Sequence, residues 1–220
     1  KVFFLIQSRV FSTRLPGKNF FSFFNKTELD RVIRIALKCA NNKKVFILSG
    51  DKKKNQLMEY VARKHKIKII FGDEKNVFNR FKNFLKKNKC DYIYRMTADN
   101  YLIQPRIIKE MLSKLNEEDL DYSYVEPLSH YAGELVKSKL FFKSKKVTEL
   151  SKEHVTWDFR LNNEIKIIKY KKNFMNINHK NSVTLDNIND LIFMKKIEKK
   201  YSKLKNLDCL NEIKKIQQNK

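Results

Sequence analysis

Residues 2–18 read VFFLIQSRVFSTRLPGK, an apolar run that breaks into a basic, hydroxyl-rich loop. Five apolar residues in succession (2–6), with no alternating polar face, predict a strand buried on both sides, as inside a parallel sheet. The loop that follows, 7–18, sets Arg9, Arg14 and Lys18 among Ser8, Ser12, Thr13, Pro16 and Gly17. Guanidinium forks suit paired phosphate oxygens, an ammonium acts as a point charge, and hydroxyls and backbone N–H groups add neutral donors. A polyphosphate site and a solvated basic turn both fit that composition, so the rest of the chain has to choose between them.

Strand and helix patterns then alternate. Residues 28–40 place Leu29, Val32, Ile33, Ala36, Leu37 and Ala40 on one helical face, with Thr27 as N-cap. A second buried strand is predicted over 44–49 (KVFILS), ended by Gly50-Asp51, and a helix over 56–64 with Leu57, Tyr60 and Val61 inward. A third strand, 67–71 (IKIIF), leads to a helix over 76–87 with Val77, Phe78, Phe81, Phe84 and Leu85 inward. A fourth strand, 91–95, precedes a helix over 105–115 that carries Pro105 in its first turn. This alternation predicts an α/β protein, a mostly parallel central sheet with helices on both faces. Ligands in that architecture bind beyond the carboxyl ends of the strands. Loops 7–18, 49–51, 72–76 and 97–100 are therefore expected on one rim. Downstream, 121–125 and 165–170 read as strands, 131–142 holds Gly133 within another apolar run, and 182–186 leads into an apolar-faced helix near Ile188. Without repeats or a Gly/Pro-rich linker, the expectation is one domain over 1–194 and a lysine-rich helical tail over 195–220.

The 220 residues are 42% hydrophobic, with 17 Phe and 9 Tyr, enough to build a substantial core. No 18-residue apolar run occurs, which points to a soluble, cytoplasmic protein. Cys39, Cys90 and Cys209 are isolated and form neither a disulfide framework nor a metal cluster. The net charge of +24 comes from lysines spread along the whole chain, with no basic stripe interleaved with aromatics. A solvated lysine surface is expected, rather than a nucleic-acid or membrane partner.

Asp99 lies in TADN just after the fourth strand, across the rim from the three cations. Mg2+ prefers few carboxylates together with phosphate oxygens and water, so such a residue suits a metal–triphosphate complex. It suits a helix cap or turn equally well. Asp186, in TLDN, has the same two readings. Arg95 ends a strand at the rim, and Asp73 and Arg80 flank the third rim loop; each reads as a binding group or as a structural ion pair. In EHVTWDFR (153–160), His154 is a substrate contact or a packed histidine. His65, His130 and His179 show no metal spacing, and His65 reads as a surface position. No Ser–His–Asp order, Walker loop or GxGxxG is present.

Taken in order, QSRVFSTRLPGK (7–18), GDEKNVFNR (72–80), MTADNYLI (96–103), EHVT (153–156) and TLDNINDL (184–191) resemble blocks of one family. It comprises the bacterial cytidylyltransferases that activate 3-deoxy-2-ulosonic acids: the Kdo and acylneuraminate enzymes and, most nearly, the spore-coat-polysaccharide branch. The resemblance spans nearly the whole chain apart from the tail. It implies a Rossmann-like nucleotide-diphospho-sugar transferase fold and transfer of CMP from CTP to the anomeric hydroxyl of a sialic- or Kdo-like sugar acid, releasing pyrophosphate. On this resemblance Gln7, Ser8, Arg9, Ser12, Thr13, Arg14, Lys18, Asp73, Arg80 and Arg95 bind the nucleotide. Asp99 and Asp186 hold Mg2+, and Lys18, Arg14 and Asp99 act in catalysis. Asn100, Gly133, Glu153 and His154 meet the sugar acid. A homodimer is common among such relatives. Phe11 stands where the family usually has a small residue, Tyr101 replaces a common Pro, and Gly133-Glu134-Leu135-Val136 aligns with a G-L-D-V segment but lacks its Asp. Two other classes remain open: a nucleotide-sugar-dependent glycosyltransferase, although TADN offers one Asp rather than a D-x-D pair, and a non-catalytic basic binding protein.

Overall fold

A computed structural model describes residues 1–101, 103–116, 119–126, 130, 132–143, 147–171 and 184–200. The opening apolar run forms β1 (Val2–Gln7). A 3-10 turn (Lys18–Phe20) and a small hairpin of β2 (Ser22–Phe23) and β3 (Lys26–Thr27) lead into α1 (Glu28–Cys39). Thr27 caps that helix by accepting from the Asp30 N–H. Next come β4 (Val45–Ser49), α2 (Leu57–Lys64), β5 (Lys68–Phe71), α3 (Val77–Lys87), β6 (Tyr92–Thr97) and α4 (Pro105–Ser113). The second half supplies β7 (Tyr122–Glu126), β8 (Glu134–Lys137), short helices α5 (Leu140–Lys143), α6 (Glu149–His154) and α7 (Trp157–Arg160), then β9 (Ile167–Lys171) and α8 (Ile188–Lys200).

Seven strands form one sheet in the order β5-β4-β1-β6-β8-β7-β9. All neighbours run parallel except at β8, which is antiparallel to both β6 and β7. Strand alternation divides the core into two layers. Phe4 and Ile6 of β1 pack in one cluster with residues of α1, α2, α4 and α8; Phe3 and Leu5 pack in the other with α3, α5 and α7. Helices thus cover both faces, which is why β1 and β4 read as unbroken apolar runs. From β1 the chain steps outward through β4 to β5, then crosses back to place β6 on the other side of β1. Strand order reverses between β1 and β6, and their carboxyl ends open a crevice there.

Two local expectations are corrected, the inward face of α2 and the place of His65. In α2 the inward residues are Met58, Val61 and Ala62, while Leu57 and Tyr60 are 52% and 64% exposed. Both triads have the same i, i+3, i+4 spacing, and in a helix of eight residues only the tertiary contact chooses between them. The His65 side chain is nearly buried against the Asp30 carboxylate, 2.5 Å away, rather than on the surface. Helix α8 runs through positions 194–195, where the tail was expected to begin, with Met194 and Ile197 in the core. Residues 201–220 of that tail, with Cys209, and also His179 lie outside the described residues.

Gly133, just before β8, lies close against the backbone of β6. Its φ is +90°, and a Cβ there would lie 2.4 Å from the Arg95 carbonyl oxygen. Gly133→Ala is therefore expected to destabilise the fold by about 2 kcal/mol or more, through both strain and overlap. A thermal melt should register this as a fall of roughly 4–8 °C; an unchanged melting temperature would contradict it.

Candidate active site

A cavity of about 1020 Å3 fills the crevice. Its first wall is the loop after β1. Gly17 closes that loop: at φ +71° its N–H reaches the Val10 carbonyl (2.9 Å). Val10 N–H in turn donates to Asn55 Oδ1 (2.8 Å), and Asn19 Nδ2 donates to Ser8 Oγ (2.8 Å) and to the Arg9 carbonyl. Ser8 and Ser12 are buried, whereas Thr13 and Arg14 are exposed at the mouth. Phe11 is 56% exposed and does not line the cavity, so its bulk leaves the interior free. Arg80 lies against this wall, buried and donating to the Leu48 carbonyl. Burial draws its guanidinium down to about 10, with the Arg9 charge acting in the same direction and Glu74 and Asp73 opposing it. Two like charges facing one cavity favour an anion between them.

The floor is where β6 ends. Leu185 N–H donates to the Asp99 carbonyl (3.0 Å), and Asn100 forms an antiparallel bridge with Thr184. These contacts bring Asp99 and Asp186 to one point. The Lys18 ammonium lies 2.5 Å from Asp99 Oδ2 and 2.8 Å from Asp186 Oδ1, and Arg14 Nη2 lies 3.2 Å from the same Asp186 oxygen. Thr184 Oγ1 donates to the other oxygen of Asp186 (2.8 Å). Burial opposes the charge on Lys18, but the two carboxylates outweigh it and raise its pKa. Burial likewise opposes the charge on Asp186, and Lys18, Thr184 and Arg14 overcome it to hold the carboxyl below its usual value. No trio of His, Cys, Asp or Glu among the described residues is placed to hold a metal alone. Two carboxylates that already converge on one cation are the donor set Mg2+ takes when phosphate and water complete its shell.

The second wall is built around Glu134, which is fully buried at the start of β8. It pairs with Arg95 and Arg160, and accepts from Tyr122 Oη (2.6 Å) and from Thr156 Oγ1 (3.0 Å to each oxygen). Burial alone would raise this carboxyl, but the two guanidiniums outweigh it and hold it down to about 2. Arg95 also donates to Gln7 Oε1 (3.1 and 3.3 Å), linking the two walls. Arg160 lies over the Tyr124 ring, 4.6 Å from its centre. His130 faces the cavity nearby. Burial lowers its imidazole pKa, Asp99 and Glu134 oppose this, and Arg95 and Arg160 reinforce it.

Of the residues singled out from sequence, Gln7, Ser8, Arg9, Ser12, Thr13, Arg14, Lys18, Arg80, Arg95, Asp99, Asn100, Gly133, Glu153, His154 and Asp186 all line this cavity. Asp73 does not. Its carboxylate accepts from the N–H groups of Lys75 and Asn76 and so closes the turn before α3. The loop at 49–51 is also outside: Glu74 accepts from Asp51 N–H (2.8 Å) and from Asn55 Nδ2 (3.0 Å), which ties this loop to the one at 72–76 behind the first wall. Both loops follow β4 and β5, on the far side of β1 from the point of strand reversal. Sequence reasoning passed over Glu134, Arg160, Tyr122, Thr156 and His130. Position 135, where the acid was sought, points into the core as Leu135, and the acid of this strand stands one residue earlier, on the opposite face.

Residues 3–220 match the family model described as Cytidylyltransferase. The spore coat polysaccharide biosynthesis protein SpsF of Bacillus subtilis (strain 168) is 29% identical over 164 residues, covering 70% of this chain and 68% of that protein. A cytidylyltransferase from Leptospira borgpetersenii has a similar structure, with a TM-score of 0.82 at 23% identity over 100% of this chain and 94% of that one. CMP:2-keto-3-deoxy-manno-octonic acid synthetase, solved with CTP, gives a TM-score of 0.67 at 14% identity over 91% of this chain and 99% of that one.

Proposed function

This chain belongs to the cytidylyltransferase family, and on that premise we propose that it transfers CMP from CTP to the anomeric hydroxyl of a 3-deoxy-2-ulosonic acid, releasing pyrophosphate, for surface polysaccharide or glycan synthesis. The observation that carries this reading is the meeting of Lys18 and Arg14 with Asp99 and Asp186 at the floor of the crevice. In the reaction the acceptor hydroxyl gives up its proton, to the released pyrophosphate or to solvent, and its oxygen bonds to the α-phosphorus as the bond from that phosphorus to the β-phosphate oxygen breaks. Charge builds on the non-bridging and leaving oxygens, so catalysis consists mainly of alignment and neutralisation. Lys18 and Arg14 reach the phosphates from the first wall, and Arg9 and Arg80 form the neighbouring anion site. A divalent cation, Mg2+ in this reading, would be held by Asp99 and Asp186 and would polarise phosphate oxygens as a Lewis acid. Asn100, Gly133, Glu153 and His154 border the space left for the sugar, and Arg160, anchored on Glu134, gives that side a cation suited to the acceptor's carboxylate.

The test is pyrophosphate release from each of the four nucleoside triphosphates with Mg2+ and a panel of 2-ulosonic acids. Release is expected with CTP and only when an acid acceptor is present. Release independent of any acid, or none with any nucleotide, would overturn the proposal.

A further inference from the structure

We propose that Lys18 and Arg14 keep the Asp99–Asp186 pair closed to a free divalent cation, so that metal enters this site only together with a nucleoside triphosphate. The inference rests on reading the crevice as a metal–triphosphate site and adds an order of assembly to it.

The same two carboxylates that would hold a metal are already in use. The Lys18 ammonium contacts both, at 2.5 and 2.8 Å, and the Arg14 guanidinium contacts Asp186 at 3.2 Å. With its side chain 12% exposed, Lys18 makes these pairs largely out of water, where they are weakly screened. The charges of the four groups cancel. A divalent cation arriving alone has to displace an ammonium already bonded to both carboxylates. It would also leave the largely buried Lys18 without a partner in a wall that holds Arg9, Arg14 and Arg80 as well. Removing one partner from a part-buried pair is costly because the charge left behind is neither solvated nor compensated. A triphosphate changes this balance. Its oxygens offer Lys18 and Arg14 new partners a short side-chain movement away, and its negative charge offsets the incoming metal. By linkage, whatever factor the nucleotide adds to metal affinity, the metal adds to nucleotide affinity.

The inference is tested by the binding of Mn2+ to the full chain, followed by the electron paramagnetic resonance signal of the free ion. Wild-type protein is titrated without nucleotide and with CTP but no acceptor, with Mn2+ and CTP alone as the blank. Protein-bound Mn2+ is expected to be at least tenfold weaker without CTP than with it. Lys18→Met, which keeps the aliphatic stem and removes the charge, is expected to bind Mn2+ alone at least tenfold more tightly than wild type. Arg14→Gln, at a side chain 68% exposed and so safe for folding, should tighten it a few-fold. Asp186→Asn added to either variant should abolish the gain. Equal Mn2+ affinity with and without CTP would overturn the proposal, as would Kd values of both single variants within twofold of wild type. If CTP fails to bind at all, the nucleotidyltransferase reading falls, while the comparison of Mn2+ alone still decides the role of Lys18.

Discussion

Asp99→Asn is expected to lower acid-dependent pyrophosphate release by about 10³-fold, equivalent to roughly 4 kcal/mol of transition-state stabilisation. The amide keeps the size and one oxygen of the carboxylate but removes its charge from the point where Lys18 and Asp186 also meet. The backbone carbonyl of residue 99, which holds the Leu185 N–H, is untouched, and Lys18 keeps its contact with Asp186. The fold should therefore persist, with a melting temperature within a few degrees of wild type. The paired measurements are a continuous pyrophosphate assay and a circular-dichroism melt. A variant retaining a tenth or more of wild-type turnover would remove Asp99 from the catalytic machinery and return it to the role of a turn residue.

Glu134→Gln is expected to be the most destabilising single substitution in the site. It leaves Arg95 and Arg160 facing a neutral amide where the carboxylate was fully buried, a loss of about 3 kcal/mol. For a chain of this length, that corresponds to a fall of roughly 6–12 °C in Tm. The effect should also depend on pH, with a sign fixed by the low pKa. The carboxyl sits at about 2 in the folded protein, against an ordinary value of 4.5. Its stabilisation is fully present above the unfolded value and is lost as pH falls from 4.5 towards 2. The shift corresponds to about 3 kcal/mol over that window. Urea unfolding at pH 7 should separate wild type and variant widely, and the gap should narrow at pH 3. A gap below 1 kcal/mol at pH 7, or one of equal size at both pH values, would contradict the assignment of Glu134 as the anchor of the second wall.

Much of this architecture could be read directly from local pattern. The unbroken apolar runs at β1 and β4 announced strands buried on both faces, the face of α3 was placed residue by residue, and that of α1 was placed at Leu29, Val32, Ile33 and Ala36 but missed the buried Ile35. Those features depend on contacts within a few positions, where backbone geometry and burial period leave few alternatives. The basic loop after β1 was equally legible, because its composition alone suits an anion. Where two local readings had the same period, as on α2, sequence was silent.

What composition left undecided was which charges meet. Lys18 finds Asp99 81 residues away and Asp186 168 residues away, and both contacts depend on the reversal of strand order between β1 and β6. The opposition of Arg95 and Glu134 follows from the antiparallel register of β6 with β8, a pairing that nothing near either residue encodes. Asp73 fell outside the cavity although Lys75 of the same loop lines it, because the Asp73 carboxylate is taken up by the N–H groups of Lys75 and Asn76. The chain by itself determined the elements, the basic loop and, through its ordered blocks, the family resemblance. Only the tertiary structure decided the ion pairs and the two-walled cavity, because those energies belong to groups that become neighbours only once the sheet has assembled.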